Sequence, residues 1–111
     1  MLTAKQCIEI DCRAYNFIAS LHNTTLDKSE SGRMRLWNAF NAFIGFCEGV
    51  LGYPLLDKYP TIPTSLISPN VMTQWIISLV EAIKQDKSEQ IDSSAKTIVQ
   101  IMKGNFKDVQ N

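Results

Sequence analysis

Side chains that could perform acid–base chemistry are few in this sequence and lie far apart. His22 is the single histidine, and at the end of a first helix it would share a face with Asp11 and Tyr15. It could act as a general base, but we favour a helix-end histidine near solvent. Glu48 lies in an apolar segment without a second catalytic group at a useful spacing, which favours a structural carboxylate that is either paired or exposed at an edge. The sequence therefore predicts no enzymatic activity and no catalytic residues.

Metal and phosphate sites are also not indicated. Cys7, Cys12 and Cys47 lack the short paired spacing of a zinc site, and one histidine does not complete one. The glycines do not form the phosphate-binding motif that follows a strand and ends in Lys-Ser or Lys-Thr. We expect no metal and no cofactor. We interpret the cysteines as buried thiols, with a Cys12–Cys47 bridge as the alternative.

Residues suited to protein binding lie in the segment that contains all four prolines. Tyr53, Asp57, Lys58 and Tyr59 combine aromatic and charged groups, and aromatic residues are enriched in the cores and hot spots of interfaces. Long connections held by a rigid scaffold are common places for binding surfaces. We predict that these residues contact a partner protein. A loop that merely packs on its own helices is the alternative.

A second cluster, Lys28, Arg33, Arg35 and Trp37, is both basic and aromatic, and could contact phosphates or an acidic protein surface. A solvated helix end would have the same composition. The chain carries 11 basic and 11 acidic residues, so no overall positive field would attract nucleic acid. We therefore expect no nucleic-acid partner.

Four helices are predicted from the spacing of the apolar residues. The first runs from a Thr3 cap to about Asn23, and the second from about Gly32 to Gly52. The third begins at Ser68-Pro69 and ends near Lys84. The fourth begins with Asp86 and Glu89 as a capping box and closes at Lys103-Gly104-Asn105.

These helices predict one all-α domain over residues 1–111, a small, mainly antiparallel four-helix bundle with a long proline-rich connection between helices 2 and 3. On helix 2, the small residues Ala42, Gly45 and Gly49 predict close packing against another helix. That apolar helix is expected to be the centre of the core or the seam of a homodimer. The apolar residues of helix 1 that set its expected inner face are Ala4, Cys7, Ile8, Tyr15, Ile18 and Leu21; those of helix 4 are Ile91, Ala95, Ile98 and Met102.

The sequence resembles the Rap/Tai family of immunity proteins, which protect bacteria against type VI secreted peptidoglycan amidases. Leu2-Thr3 and Cys12-Arg13 are similar to the opening of that family, and residues 45–50, Gly-Phe-Cys-Glu-Gly-Val, to its glycine-aromatic helix. Ile62-Pro63 is similar to the family's Ile-Pro. The last helix is matched by Ala95, Ile98-Val99 and Phe106.

This resemblance implies that the protein binds a cognate effector and blocks its active site without any chemistry of its own. It also implies that a Cys12–Cys47 bridge would replace one of the family's disulfides. The protein would be periplasmic if a leader peptide was removed, and cytoplasmic otherwise, since neither a signal peptide nor a membrane span is recognisable. The alternative function is a helical adaptor or small subunit of a larger assembly, with a nucleic-acid-associated assembly as one option.

Overall fold

The computed structural model describes residues 2–26, 29–62 and 68–106, with side chains in the first range described up to residue 24. It contains the helices α1 (Ala4–Leu26), α2 (Glu30–Gly49), α3 (Pro69–Lys84) and α4 (Ser88–Asn105). The predicted all-α four-helix bundle is confirmed. Lys28 of the basic cluster and residues 63–67 of the connection lie outside the described residues.

Helix α1 begins as predicted and ends later. Thr3 Oγ1 accepts a hydrogen bond from the Gln6 N–H at 3.0 Å, and Gln6 Oε1 accepts one from the Thr3 N–H at 3.0 Å. This reciprocal capping box satisfies two free N–H groups of the first turn. The helix continues past Asn23 to Leu26, and within it the Thr24 hydroxyl donates to the Ser20 carbonyl at 2.7 Å, a bond that is compatible with helical backbone.

The inner face of α1 differs from the predicted one. Ile10, Ala14, Phe17 and Leu21 are buried, whereas Ile8 is 65% exposed and Tyr15 is 70% exposed. Both sets recur at three- and four-residue intervals, so periodicity alone could not choose between them. The prediction was right for Leu21, which is buried, and for Ile18, which packs against the core. It was wrong for Ile8 and Tyr15, because it did not include Phe17, which packs against aromatic rings of α2.

Helix α2 supplies the centre of the core. The Phe17 ring centroid lies 5.6 Å from that of Phe40 and 5.9 Å from that of Phe43. Trp37 stacks on Phe106, at the end of α4, with centroids 6.1 Å apart. Rings at these separations attract each other in addition to burying apolar area. The expectation that helix 2 is the centre of the core is met by these rings, although Val50, which follows the helix, is 55% exposed.

The predicted close packing through the small residues of α2 is wrong within this chain. Ala42, Gly45 and Gly49 are exposed, and among the described residues a Cβ atom added to either glycine would meet nothing within 4 Å. The predicted end at Gly52 is also three residues late. Gly52 has φ 82°, and the Tyr53 N–H bonds the Cys47 carbonyl at 3.0 Å, which closes the helix after Gly49.

The third and fourth helices form a hairpin. Ser68 caps α3 by accepting the Val71 N–H, with Pro69 in the first turn, as predicted. The capping box at Asp86 is wrong: Asp86 has φ 54°, and Lys87 is the N-cap of α4 without a side-chain cap bond. The predicted inner face of α4 is confirmed, because Ile91, Ala95, Ile98 and Met102 are all buried.

Two polar contacts fix the direction of α1 against α3. His22 Nε2 lies 3.2 Å from Thr73 Oγ1, and Lys84 Nζ lies 2.8 Å from Asp11 Oδ1. The C-terminal half of α1 therefore meets the first turns of α3, and the two helices are antiparallel. None of the helices in the described residues is long and apolar enough to cross a membrane.

Candidate functional site

The candidate site is the described chain between α2 and α3, residues 50–62, which we call the connecting loop. It has no regular secondary structure beyond a turn around residues 56–58. Leu55 is 2% exposed and anchors this segment in the core, with Leu56 half-buried beside it. A segment of this kind has backbone polar groups that need partners close to the protein interior. Charged side chains of α2 and α4 provide several of them.

Glu48, near the end of α2, binds the start of the turn. One carboxylate oxygen, Oε2, accepts the Leu55 N–H at 2.8 Å and the Leu56 N–H at 2.9 Å. Hydrogen bonds to an ionised acceptor are short and stronger than neutral ones. The sequence interpretation of Glu48 as a structural carboxylate agrees with this arrangement, although its partners are backbone groups.

Lys103, near the end of α4, binds the other side of the same turn. Its Nζ donates to the Leu56 carbonyl at 3.0 Å and to the Tyr59 carbonyl at 2.9 Å. The ammonium group thus provides hydrogen bonds to two partly buried loop carbonyls. Together, Glu48 and Lys103 hold the turn from its N–H side and its carbonyl side, and we call this pair the loop clamp.

Asp92 of α4 provides a third attachment, this time to loop side chains. Its Oδ1 lies 2.6 Å from Lys58 Nζ and accepts the Tyr59 hydroxyl at 2.8 Å. The bonds from Lys58 and Tyr59 lower the pKa of Asp92. Burial, together with the hydrogen bond to Asp92, raises the pKa of Tyr59 to about 12. Tyr59 therefore remains a neutral donor throughout the physiological range.

The loop also contacts the turn between α3 and α4. The Tyr53 hydroxyl donates to Asp86 Oδ1 at 3.1 Å. Partial burial, followed by this bond, raises the pKa of Tyr53. The Asp86 carboxylate therefore accepts a hydrogen bond from the loop and does not cap α4. The connecting loop is therefore held between residues 53 and 59 by Glu48 of α2, by Asp92 and Lys103 of α4, and by Asp86 in the turn between α3 and α4.

The predicted partner-binding residues occupy different environments. Asp57 and Lys58 lie on the exposed outside of the turn, followed by exposed Pro60, Thr61 and Ile62. Tyr59 is 8% exposed and Tyr53 is half-buried, and both rings pack toward the core. The tyrosines hold the loop, as does Lys58 through its ion pair with Asp92. The outer edge, which we define as residues 57, 58 and 60–62, is exposed. That the four residues contact a partner stays a prediction.

The other candidate residues lie elsewhere and do not converge on this loop. Cys47 is buried, Cys7 is half-buried and Cys12 is exposed, and all three are free thiols. The alternative of a Cys12–Cys47 bridge is therefore wrong, and the expected burial holds for Cys47 alone. Burial, and then the charge of Glu48, raises the pKa of Cys47 to about 12. No group of three metal-binding side chains occurs in the described residues.

Arg33 and Arg35 of the basic cluster face local partners. The Arg33 guanidinium lies 5.3 Å from the centroid of the Phe106 ring and bonds the Asn105 carbonyl at 3.5 Å. Arg35 Nη1 donates to Ser31 Oγ at 2.9 Å. These contacts stabilise the helix ends that surround them, which agrees with the interpretation as a helix-end cluster.

A surface that the sequence interpretation missed lies between α1 and α3. Tyr15 and Ile77, 70% and 46% exposed, border an apolar groove of about 200 Å³. The remaining residues that line it are Asp11, Ala14, Ile18, Ile76, Val80 and Glu81. Tyr15 and Ile18 of this groove belong to the predicted apolar stripe of α1, but that stripe was assigned to the inner face and not to a separate surface groove.

No family model matches the chain, and no solved structure matches it.

Proposed function

We propose that this protein is a non-enzymatic inhibitor that binds a secreted antibacterial effector and covers its active site with the connecting loop. The observation that carries the proposal is the loop clamp, in which Glu48 and Lys103 hold the backbone of an exposed turn. The class of effector, a peptidoglycan amidase, comes from the resemblance to the Rap/Tai immunity proteins described above.

The clamp supports tight binding through its effect on entropy. A loop that becomes ordered only on binding loses conformational freedom at that moment, which weakens the complex. The turn at residues 56–58 is already fixed by hydrogen bonds to α2 and α4. Binding of a partner to Asp57 and Lys58 therefore costs little further conformational entropy in the loop.

The outer edge is also chemically suited to a groove that contains charged or polar groups. Asp57 and Lys58 place opposite charges beside each other, and Ile62 adds an apolar side chain that is 45% exposed. Adjacent charges of opposite sign favour a specific orientation in the complex more than they add affinity. Pro60 reduces the number of conformations that the edge can adopt.

The test is co-expression with the product of the adjacent gene in bacteria, followed by purification through a tag on either protein. We expect the two proteins to co-purify and the toxicity of the adjacent product to be lifted. Asp57→Arg is expected to prevent both results by reversing the charge at the centre of the outer edge. Asn38→Arg introduces the same side chain at an exposed position of α2 and is the matched control.

Two results would contradict the proposal. One is an adjacent gene product that neither binds the protein nor harms cells. The other is rescue from toxicity by the Asp57→Arg variant at the level of the wild type, because the outer edge would then not be the inhibitory surface.

A second candidate function, a helical adaptor within a larger assembly, is favoured by the exposed apolar groove between α1 and α3. Tyr15 and Ile77 are large apolar side chains in the part of the surface where a partner helix could bury them. An adaptor of this kind would lose its partner on Tyr15→Arg and would keep it on Asp57→Arg. The inhibitor is expected to respond in the opposite way.

A further inference from the structure

A cleft of about 430 Å³ runs along the outer side of the α3–α4 hairpin, away from the connecting loop. Its volume is within the range of small-molecule sites. Ser78, Gln85, Gln90 and Ser93 line it with uncharged polar side chains, and all are exposed. Trp75, Glu81, Ala82, Lys87 and Ser94 complete the lining.

The hydroxyl and amide groups of the cleft can both donate and accept hydrogen bonds. Within the described residues, the side chains of Ser78, Gln85, Gln90 and Ser93 form no hydrogen bond with the protein. Surface polar residues of this kind commonly bond water, and a ligand can replace that water only if it offers both donors and acceptors.

Ser94 distinguishes this cleft from an ordinary groove between two helices. The residue is only 5% exposed, yet its hydroxyl forms no hydrogen bond within the described residues. No fully enclosed side-chain oxygen or nitrogen in that part of the chain lacks a partner, so the Ser94 hydroxyl opens onto the cleft. A hydroxyl that opens onto the cleft without a protein partner can bond water or a ligand that replaces that water.

The remaining lining residues define the charge and the apolar character of the cleft. Trp75 is half-buried, packs against the core and contributes an indole with an apolar face and an N–H donor. Glu81 and Lys87 carry opposite charges, so the cleft favours neither an anion nor a cation. A ligand that suits this cleft is neutral, carries many groups that donate and accept hydrogen bonds, and has one apolar face.

We propose that the α3–α4 cleft binds a neutral saccharide of one or two rings. The C–H groups on one face of a sugar ring pack against the Trp75 indole. The ring hydroxyls bond Ser94 at the base of the cleft and the serine and glutamine side chains at its walls. This binding is independent of the proposed inhibitor function, because the connecting loop takes no part in it.

The test is a titration of the ¹⁵N-labelled protein with maltose and, separately, with N-acetylglucosamine, followed by NMR. We expect a saturable shift of the Trp75 indole N–H and of the Gln85 and Gln90 side-chain amides. The indole of Trp37, which is buried in the core away from this cleft, is an internal control and is expected to remain unchanged.

Variants assign the response to the cleft. Ser78→Phe places a ring across the opening and is expected to abolish the shift. Ser94→Ala is expected to weaken binding about fivefold through the loss of one hydrogen bond. Ser20→Ala, on α1, is the matched control and is expected to bind like the wild type.

Three results would overturn the proposal. The first is that neither saccharide produces a saturable NMR shift. The second is a shift that is the same in the Ser78→Phe variant. The third is that the signals shift with sulfate but not with the saccharides. The last result would indicate an anion site at the start of α4, where Lys87 leaves the first turn without a side-chain cap.

Discussion

Tyr59 joins the connecting loop to α4 through its ring and its hydroxyl. The ring is 8% exposed, and the hydroxyl donates to Asp92 Oδ1 at 2.8 Å and lies 3.3 Å from the Asp92 carbonyl. An interfacial tyrosine and a tyrosine that anchors its own loop have the same sequence signature, since both need an apolar body and a polar tip. The burial observed for Tyr59 agrees with anchoring.

Tyr59→Phe is therefore expected to lower the free energy of unfolding by about 1 kcal/mol, because the ring remains packed while the hydrogen bond is lost. Urea denaturation measures this change. Tyr15→Phe is the matched control, since Tyr15 is 70% exposed, and it is expected to leave stability unchanged. Equal effects of the two substitutions would contradict the anchoring role of Tyr59.

The same contact has a defined pH dependence. The pKa of Tyr59 rises from 10.0 to about 12, first through burial and then through the bond to Asp92. A raised pKa in the folded protein means that this stabilisation is fully present below pH 10 and is lost as the pH rises through about 12. We expect the absorbance step of the Tyr59 phenolate near that upper value. An absorbance step near pH 10 that is missing from the Tyr59→Phe variant would show that the contact is absent in solution.

At the scale of elements, the sequence predicted which segments are helical better than it predicted which faces are buried. Thr3, Ser68 and Pro69 determine helix starts through local contacts, and such contacts can be read from neighbouring residues. The inner face of α1 depends on the contact of Phe17 with aromatic rings of α2, and such a tertiary contact cannot be read from neighbouring residues. Asp86 failed as a cap because Tyr53, which is distant in sequence, bonds its carboxylate.

The glycines of α2 and the loop allow a paired test of the packing result. Gly45 is exposed within a helix with nothing near an added Cβ, whereas Gly52 has φ 82°. Gly45→Ala is expected to raise the free energy of unfolding by about 0.5–1 kcal/mol through helix propensity. Gly52→Ala is expected to lower it, because alanine is strained at positive φ. Thermal denaturation distinguishes them, and destabilisation by Gly45→Ala would indicate a packed glycine ridge.

The loop clamp could not be predicted from the sequence, because Glu48 and Lys103 lie far apart along the chain and meet only through the fold. The proline content and length of the segment identified it as a candidate, and its four predicted contact residues included Asp57 and Lys58 of the outer edge. The sequence could not show which side chains hold the loop and which remain accessible, because this depends on how α4 packs against the loop.

Glu48→Gln tests the clamp directly. The neutral amide is a weaker acceptor for the Leu55 and Leu56 N–H groups, so we expect their hydrogen exchange to accelerate about tenfold, as loss of charge-assisted bonding implies. Glu9→Gln, on the surface of α1 where Glu9 pairs with Arg13, is the control and is expected to leave those amides unchanged. Unchanged exchange at both amides in the Glu48→Gln variant would exclude the clamp.

At the scale of the whole molecule, two accessible surfaces could receive a macromolecular partner, and they do not overlap. The connecting loop carries charged and fixed residues at its outer edge, and the groove between α1 and α3 carries exposed apolar ones. The inhibitor proposal and the adaptor alternative each use one of them. A map of the contact surface in a complex therefore separates the two functions.

The most direct measurement is hydrogen–deuterium exchange of this protein alone and in complex with the product of the adjacent gene. The inhibitor proposal predicts added protection at residues 56–62 and none along residues 15–19 and 73–81. Protection of the α1–α3 groove with unchanged exchange in the loop would contradict it.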